Sequence, residues 1–223
     1  MKSLIIVESH NDKFFIEKLT EVLGLENIEL KEPICNITDY ECLNGLSEQK
    51  LTKTFEDIKF DQYQKIGIII DADNEGIENR IALINRCVRA VEDVPANFEI
   101  VEINKFIKIE SLEVEIGCYI TNKDGLGELE TVLKEIASKD TTHADCLEAW
   151  KNCLKEKGKP EISQKDFDKF WVSNYLRFDT CLPSEKSQAG RKCNYEAGIK
   201  KDIWDFENQI LDDLKEFLKL LNS

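Results

Sequence analysis

Leu4-Ile5-Ile6-Val7 is a nearly unbroken, β-branched apolar run, the pattern of a strand buried on both faces in a parallel sheet. Asn11 or Asp12 can cap a helix behind it, in which Phe15, Leu19 and Val22 repeat at helical spacing until Gly24. Strand followed by helix opens a βαβ unit. Pro33 to Ile37 reads as a weak second strand, and Ser47 to Ile58 as a polar helix with Leu51, Phe55 and Ile58 on one side. Lys65 to Ile70 then runs apolar into an acidic turn, Asp71-Ala72-Asp73-Asn74-Glu75-Gly76. Beyond it Ile77, Ile81, Ile84, Val88 and Val91 form a helical stripe.

From Phe98 the pattern changes. Phe98 to Ile103, Phe106 to Ile109 and Leu112 to Ile120 read as strands, with at least one hairpin among them. Asn122 to Gly127 is a loop containing two glycines, and Glu128 to Ala137 is helical. Further helices are expected at 143–156 and 163–178, a loop at Pro183 to Gly198, and a last helix carrying Phe206, Ile210, Leu214, Phe217 and Leu221.

Composition narrows the class. The 223 residues are 42% hydrophobic with only 10 Gly and 4 Pro, too apolar and too poor in breakers for a disordered acidic chain. That length suits one large domain, or a domain with an appendage, and can bury a substantial core. No run approaches the roughly 20 apolar residues of a membrane span, and the first apolar run is too short for a signal peptide. The cysteines show no C-x-x-C spacing and are expected to be reduced thiols. Together these features predict a cytoplasmic protein without a membrane partner.

The net charge of −14 excludes a protein that coats polyanions generally. The charge is uneven, however. Residues 151–203 carry 12 basic against 8 acidic side chains, while residues 1–150 carry 16 against 31. Nucleic acid could therefore be held locally by the basic segment 151–203, which includes Lys186, Arg191 and Lys192; the competing reading is a solvated helical surface.

In a parallel α/β sheet, ligands gather at the carboxyl ends of the strands. Two of those ends are acidic here, one at Glu8 and one at Asp71 and Asp73. Carboxylates brought together in this way repel one another unless a cation lies between them, and Mg²⁺ is a suitable hard ion. Taken alone, an Asp-x-Asp is more often a turn former and helix cap.

Leu4-Ile5-Ile6-Val7-Glu8-Ser9 with Asp12, and Ile68-Ile69-Ile70-Asp71-Ala72-Asp73-Asn74-Glu75-Gly76, resemble the two motifs of the TOPRIM domain. That domain is shared by type IA topoisomerases, bacterial-type primases and OLD-family nucleases. The whole layout is similar to a stand-alone bacterial family of TOPRIM-like proteins of unknown function. The resemblance covers residues 1–125 and implies an α/β domain with a mainly parallel sheet flanked by helices. Residues 126–223 are then a mostly helical extension packed on it.

The resemblance further implies that Glu8 is the general acid or base and that Asp71 and Asp73 hold Mg²⁺, with Mn²⁺ as a substitute. Glu75 occupies a place shared with topoisomerases more than with nucleases, which leaves its role open. The chain has no room for the tyrosine-bearing domain of a topoisomerase or the zinc-binding regions of a primase. The expected activity is a Mg²⁺-dependent phosphodiester hydrolase, a nuclease first. The alternatives are a phosphohydrolase for a small nucleotide, or a non-catalytic scaffold acting as a homodimer or with a protein partner.

Glu128 and Glu130 are candidates for additional acids, but first-turn acids are favoured by the helix dipole and are left outside the predicted site. His10 lies close to Glu8 in sequence and reads as an exposed loop residue before a proton shuttle. His143 reads as a helix-start residue. Trp150, Trp171 and Trp204 fall in helical patterns and are expected as core or interface anchors. No serine elbow, P-loop or dinucleotide fingerprint is present.

Overall fold

The computed structural model describes residues 2–35 and 46–223. Among the described residues, five strands form one sheet: β1 (Lys2–Val7), β2 (Ile28–Leu30), β3 (Tyr63–Asp71), β4 (Phe106–Ile109) and β5 (Val114–Thr121). Their order is β2-β1-β3-β5-β4, with β4 antiparallel to β5 and the remaining pairs parallel. The protein is thus α/β, with a mostly parallel sheet flanked by helices.

Strand alternation divides the apolar residues between two cores. Leu4, Ile6, Ile66, Ile68, Ile70, Ile116, Cys118 and Ile120 face one side. There they meet α2 (Glu48–Glu56) through Leu51 and Phe55, and α3 (Gly76–Arg89) through Ile81, Ile84 and Val88. Ile5, Val7, Ile69 and Tyr119 face the other side. That face is covered by α1 (His10–Leu23), α4 (Leu129–Glu135), α5 (Thr142–Glu156), α6 (Gln164–Asn174), α8 (Tyr195–Ile199) and α9 (Asp212–Asn222). A short α7 (Ala189–Lys192) precedes α8.

The C-terminal helices therefore share one apolar cluster with β1 and β3, in which Phe15, Phe167, Tyr175 and Phe217 are fully buried. Two glycines make this close packing feasible. Gly67 and Gly117 are register partners on β3 and β5, and a Cβ at Gly67 would sit 3.0 Å from the Phe217 ring. Phe217 in turn stacks on Phe106, with ring centroids 5.3 Å apart. Ser3 Oγ donates to the Leu221 carbonyl at 2.7 Å, fastening α9 to β1.

Several local expectations are corrected. Phe98 to Ile103 forms no strand. Phe98 and Ile100 are buried, and the Asn85 side chain supplies what a neighbouring strand would, accepting from Ile100 N and donating to its carbonyl at 2.8 Å each. The second strand lies at Ile28–Leu30 instead of beginning at Pro33; Asn36 and Ile37 fall outside the described residues. The 163–178 helix changes after Asn174 into a π-turn, Tyr175–Asp179. The last helix starts at Asp212, so Phe206 and Ile210 pack from the chain before it. Pro183 to Gly198 holds a 3-10 turn at Lys186–Gln188 as well as α7 and most of α8.

The cysteines are not all reduced. Cys181 and Cys193 form a disulfide with Cα atoms 5.6 Å apart, and Cys35 is also disulfide-bonded. Cys87, Cys118, Cys146 and Cys153 are free. The 181–193 pair lacks C-x-x-C spacing because its 12-residue separation is closed by the fold of the intervening turns.

Candidate functional site

The carboxyl ends of β1 and β3 lie side by side, since Val7 pairs with Ile69. Glu8 follows β1 and Asp71 closes β3, so both carboxylates reach the same edge of the sheet. Both are buried, and Glu8 Oε2 has no hydrogen-bond partner among the described residues. Asp71 Oδ1 accepts from Leu129 N at 3.2 Å, which ties β3 to the start of α4.

Three further acids surround this pair. Asp12 is held by the α1 cap, where Ser9 N and Ser9 Oγ both donate to its Oδ2, at 2.8 and 2.6 Å. Glu128 is the N-cap of α4, only 2% exposed, and Glu130 is buried one residue inside the same helix. Glu128 Oε1 has no hydrogen-bond partner among the described residues either.

Burial and crowding together shift Glu8, Asp12, Asp71 and Glu128 toward their protonated forms. Burial, then Asp12, Glu8, Glu130 and Glu128, hold the Asp71 carboxyl well above the ordinary carboxylate range. Burial followed by the Asp73 charge raises Glu8, against opposing contributions from Arg80, Lys165 and the Asp71 backbone. Burial is also the main cause that lifts Asp12 to about 7, and Glu128 to about 7 despite Lys169 and Lys165. The Tyr195 hydroxyl, buried beside Glu130, is pushed up by burial and by that glutamate.

Asp73 is placed differently from Glu8 and Asp71. Its backbone takes the left-handed conformation, φ 49°, and exchanges two hydrogen bonds with Gly127, at 2.7 and 2.9 Å. Gly127 has φ 94°, and a Cβ there would meet Thr131 Oγ1 at 2.8 Å, so glycine is required for this junction. Asp73 Oδ2 pairs with Arg80 of α3, and its Oδ1 accepts from Lys165 of α6 at 2.6 Å. Lys165 also lies 3.2 Å from Glu128 Oε2, and Lys169 lies 3.3 Å from the same atom. A cavity of about 230 Å³ opens over this cluster, lined among others by Asp73, Lys123, Glu128, Gln164 and Lys165.

Of the sequence-derived site residues, the structure brings Glu8 and Asp71 to one edge and turns Asp73 toward two cations. Among the described residues, only Cys181, Glu185 and Cys193 place three ligand atoms within 4.8 Å of one another, and two of those sulfurs are bonded to each other. Glu8, Asp71 and Asp73 do not converge so closely. The donor set nevertheless fits a hard divalent cation: the atoms are carboxylate oxygens, and Glu8 Oε2 is buried and unpartnered.

Asp12, Glu128, Glu130, Arg80, Lys165 and Lys169 are additions that sequence reasoning did not place in the site. The only signal for Glu128 and Glu130 was their position after the two-glycine turn. Glu75 is exposed. His10 opens α1 with its ring 6.3 Å from Phe14, and His143 Nδ1 lies 2.7 Å from Asp179 Oδ1. Trp171 and Trp204 are core residues, whereas Trp150 is partly exposed against Phe170.

The basic segment is partly occupied internally. Lys165 and Lys169 serve the acidic cluster, and Lys201 pairs with Glu185 at 2.6 Å, while Lys186, Arg191 and Lys192 are exposed. Among the described residues, no helix is long and apolar enough to cross a membrane.

No curated protein and no solved structure matches the chain. A family model described as protein of unknown function DUF3226 matches residues 2–223, and the chain belongs to that family.

Proposed function

We propose that this chain is a Mg²⁺-dependent phosphodiester hydrolase of the TOPRIM type, acting as a nuclease. The observation that carries the reading is the pair of buried carboxylates, Glu8 and Asp71, at the carboxyl ends of adjacent parallel strands, with Glu8 Oε2 lacking a partner among the described residues. Asp71 and Asp73 would hold the cation. When bound, Mg²⁺ supplies polarisation of the phosphate and offsets charge in the transition state.

The chain's own groups have distinct tasks in this reading. Glu8 holds or moves the proton, and its burial keeps a proton available closer to neutral pH than an exposed glutamate would. Leu129 N fixes the orientation of Asp71, and Arg80 that of Asp73. The exposed Lys186, Arg191 and Lys192 offer contacts for a phosphate backbone.

Cleavage of labelled DNA and RNA with Mg²⁺ or Mn²⁺ tests the proposal, comparing the native chain with Asp71→Ala. Metal-dependent cleavage lost in the variant supports it; no cleavage by the native chain, or cleavage that survives the substitution, overturns it. Salt separates the substrate classes, because nucleic-acid binding weakens steeply as salt rises while turnover of a small nucleotide barely changes. A non-catalytic scaffold is the second reading, and the engagement of both Asp73 oxygens by Arg80 and Lys165 favours it.

A further inference from the structure

The two oxygens of Asp73 are both engaged, one by Arg80 and one by Lys165. For Asp73 to take part in holding a divalent cation, one of these partners has to leave. The surroundings decide which. Arg80 is buried, its guanidinium stays charged at any ordinary pH, and its Nε already lacks a hydrogen-bond partner. Stripping Asp73 from it would leave a buried, unpaired charge. The Lys165 side chain is 39% exposed on the rim of the 230 Å³ cavity, so its ammonium can move into water at little cost.

Lys165 also bridges. Its Nζ lies 2.6 Å from Asp73 Oδ1 and 3.2 Å from Glu128 Oε2, joining the β3–α3 turn to the cap of α4 from a third element, α6. Glu128 has its other oxygen, Oε1, buried without a partner among the described residues, an acceptor that neither Lys165 nor Lys169 satisfies.

We infer that the position between Asp73 and Glu128 is a cation site that the Lys165 ammonium fills, and that a divalent ion binds there by exchange with it. The inference rests on the metal-dependent reading above and adds an internal competitor on α6. Lys165 is then a positioning residue: it keeps the two carboxylates in place before metal arrives and lowers the apparent metal affinity while it does so. This reverses the usual expectation that removing a site residue weakens binding.

Mn²⁺ titration followed by electron paramagnetic resonance tests it on the native chain, Lys165→Gln and Lys165→Arg. The exchange predicts about tenfold tighter Mn²⁺ binding in Lys165→Gln, equivalent to about 1.4 kcal/mol, and near-native affinity in Lys165→Arg. If the native chain binds Mn²⁺ and Lys165→Gln binds it equally or more weakly, the exchange is wrong while the metal reading stands. If neither binds Mn²⁺, the metal reading itself fails. Amine labelling of the native chain, read at Lys165 by mass spectrometry, gives a check that needs no variant. Labelling that rises with Mn²⁺ supports exchange, and labelling unchanged by bound Mn²⁺ overturns it.

Discussion

Replacing Asp12 with asparagine tests whether the buried acids weaken the fold as they ionise. Burial first, then the charges of Glu8 and Glu130, raise the Asp12 carboxyl from 3.8 to about 7, against the hydrogen bonds from Ser9. Between roughly pH 4 and 7 the folded chain therefore keeps a proton that the unfolded chain has lost. Stability falls as pH rises through that window, by about 1.36 kcal/mol per pH unit for one proton. From about pH 5 to about pH 8, Asp12 accounts for on the order of 3 kcal/mol of that loss. The carboxamide oxygen of Asp12→Asn can still accept from Ser9 N and Oγ, so the helix cap is retained. Urea unfolding in EDTA, followed by fluorescence of the buried Trp171 and Trp204, measures stability across this range. The variant should show a flatter profile by about 3 kcal/mol and exceed the native chain in stability at the alkaline end. Parallel profiles, or a variant less stable at every pH, would show that ionisation of Asp12 does not weaken the fold.

Cys193→Ser removes the 12-residue cross-link to Cys181 and should lower stability by about 3 kcal/mol, read as a fall in the urea midpoint under non-reducing conditions. Gly67→Ala places a methyl group 3.0 Å from the Phe217 ring and should cost about 1 to 3 kcal/mol by thermal unfolding, with Phe217→Leu in the same chain recovering part of the loss. Asn85→Ala leaves the buried amide and carbonyl of Ile100 without their partner, and a loss of about 2 kcal/mol or more is expected in the same assay.

Glu8 and Asp71 were legible in the sequence because each ends an apolar run, and a parallel sheet carries such ends to one edge. The five-strand sheet was legible for the same reason wherever apolar runs were long, as in Lys65 to Ile70. Phe98 to Ile103 shows the limit: alternation records that Phe98 and Ile100 are buried, but the hydrogen bonds come from the Asn85 side chain and not from a strand. Glu128 and Glu130 were masked by their place in a first helical turn, where the dipole alone favours acids. Lys165 was out of reach for a different reason. It is 92 positions from Asp73 and sits in a segment whose local charge suggested an outward-facing surface, whereas α6 turns it onto the acids.

Crystals soaked in Mn²⁺ give the clearest reading of where a cation binds, because the ion's anomalous signal locates it without reference to any activity. A strong peak in contact with the Asp73 carboxylate, flanked by Asp71 and Glu128 and weakened or lost in Asp71→Ala, is the predicted result. Fully bound Mn²⁺ elsewhere on the chain, with these carboxylates carrying none, would rule out the cation site.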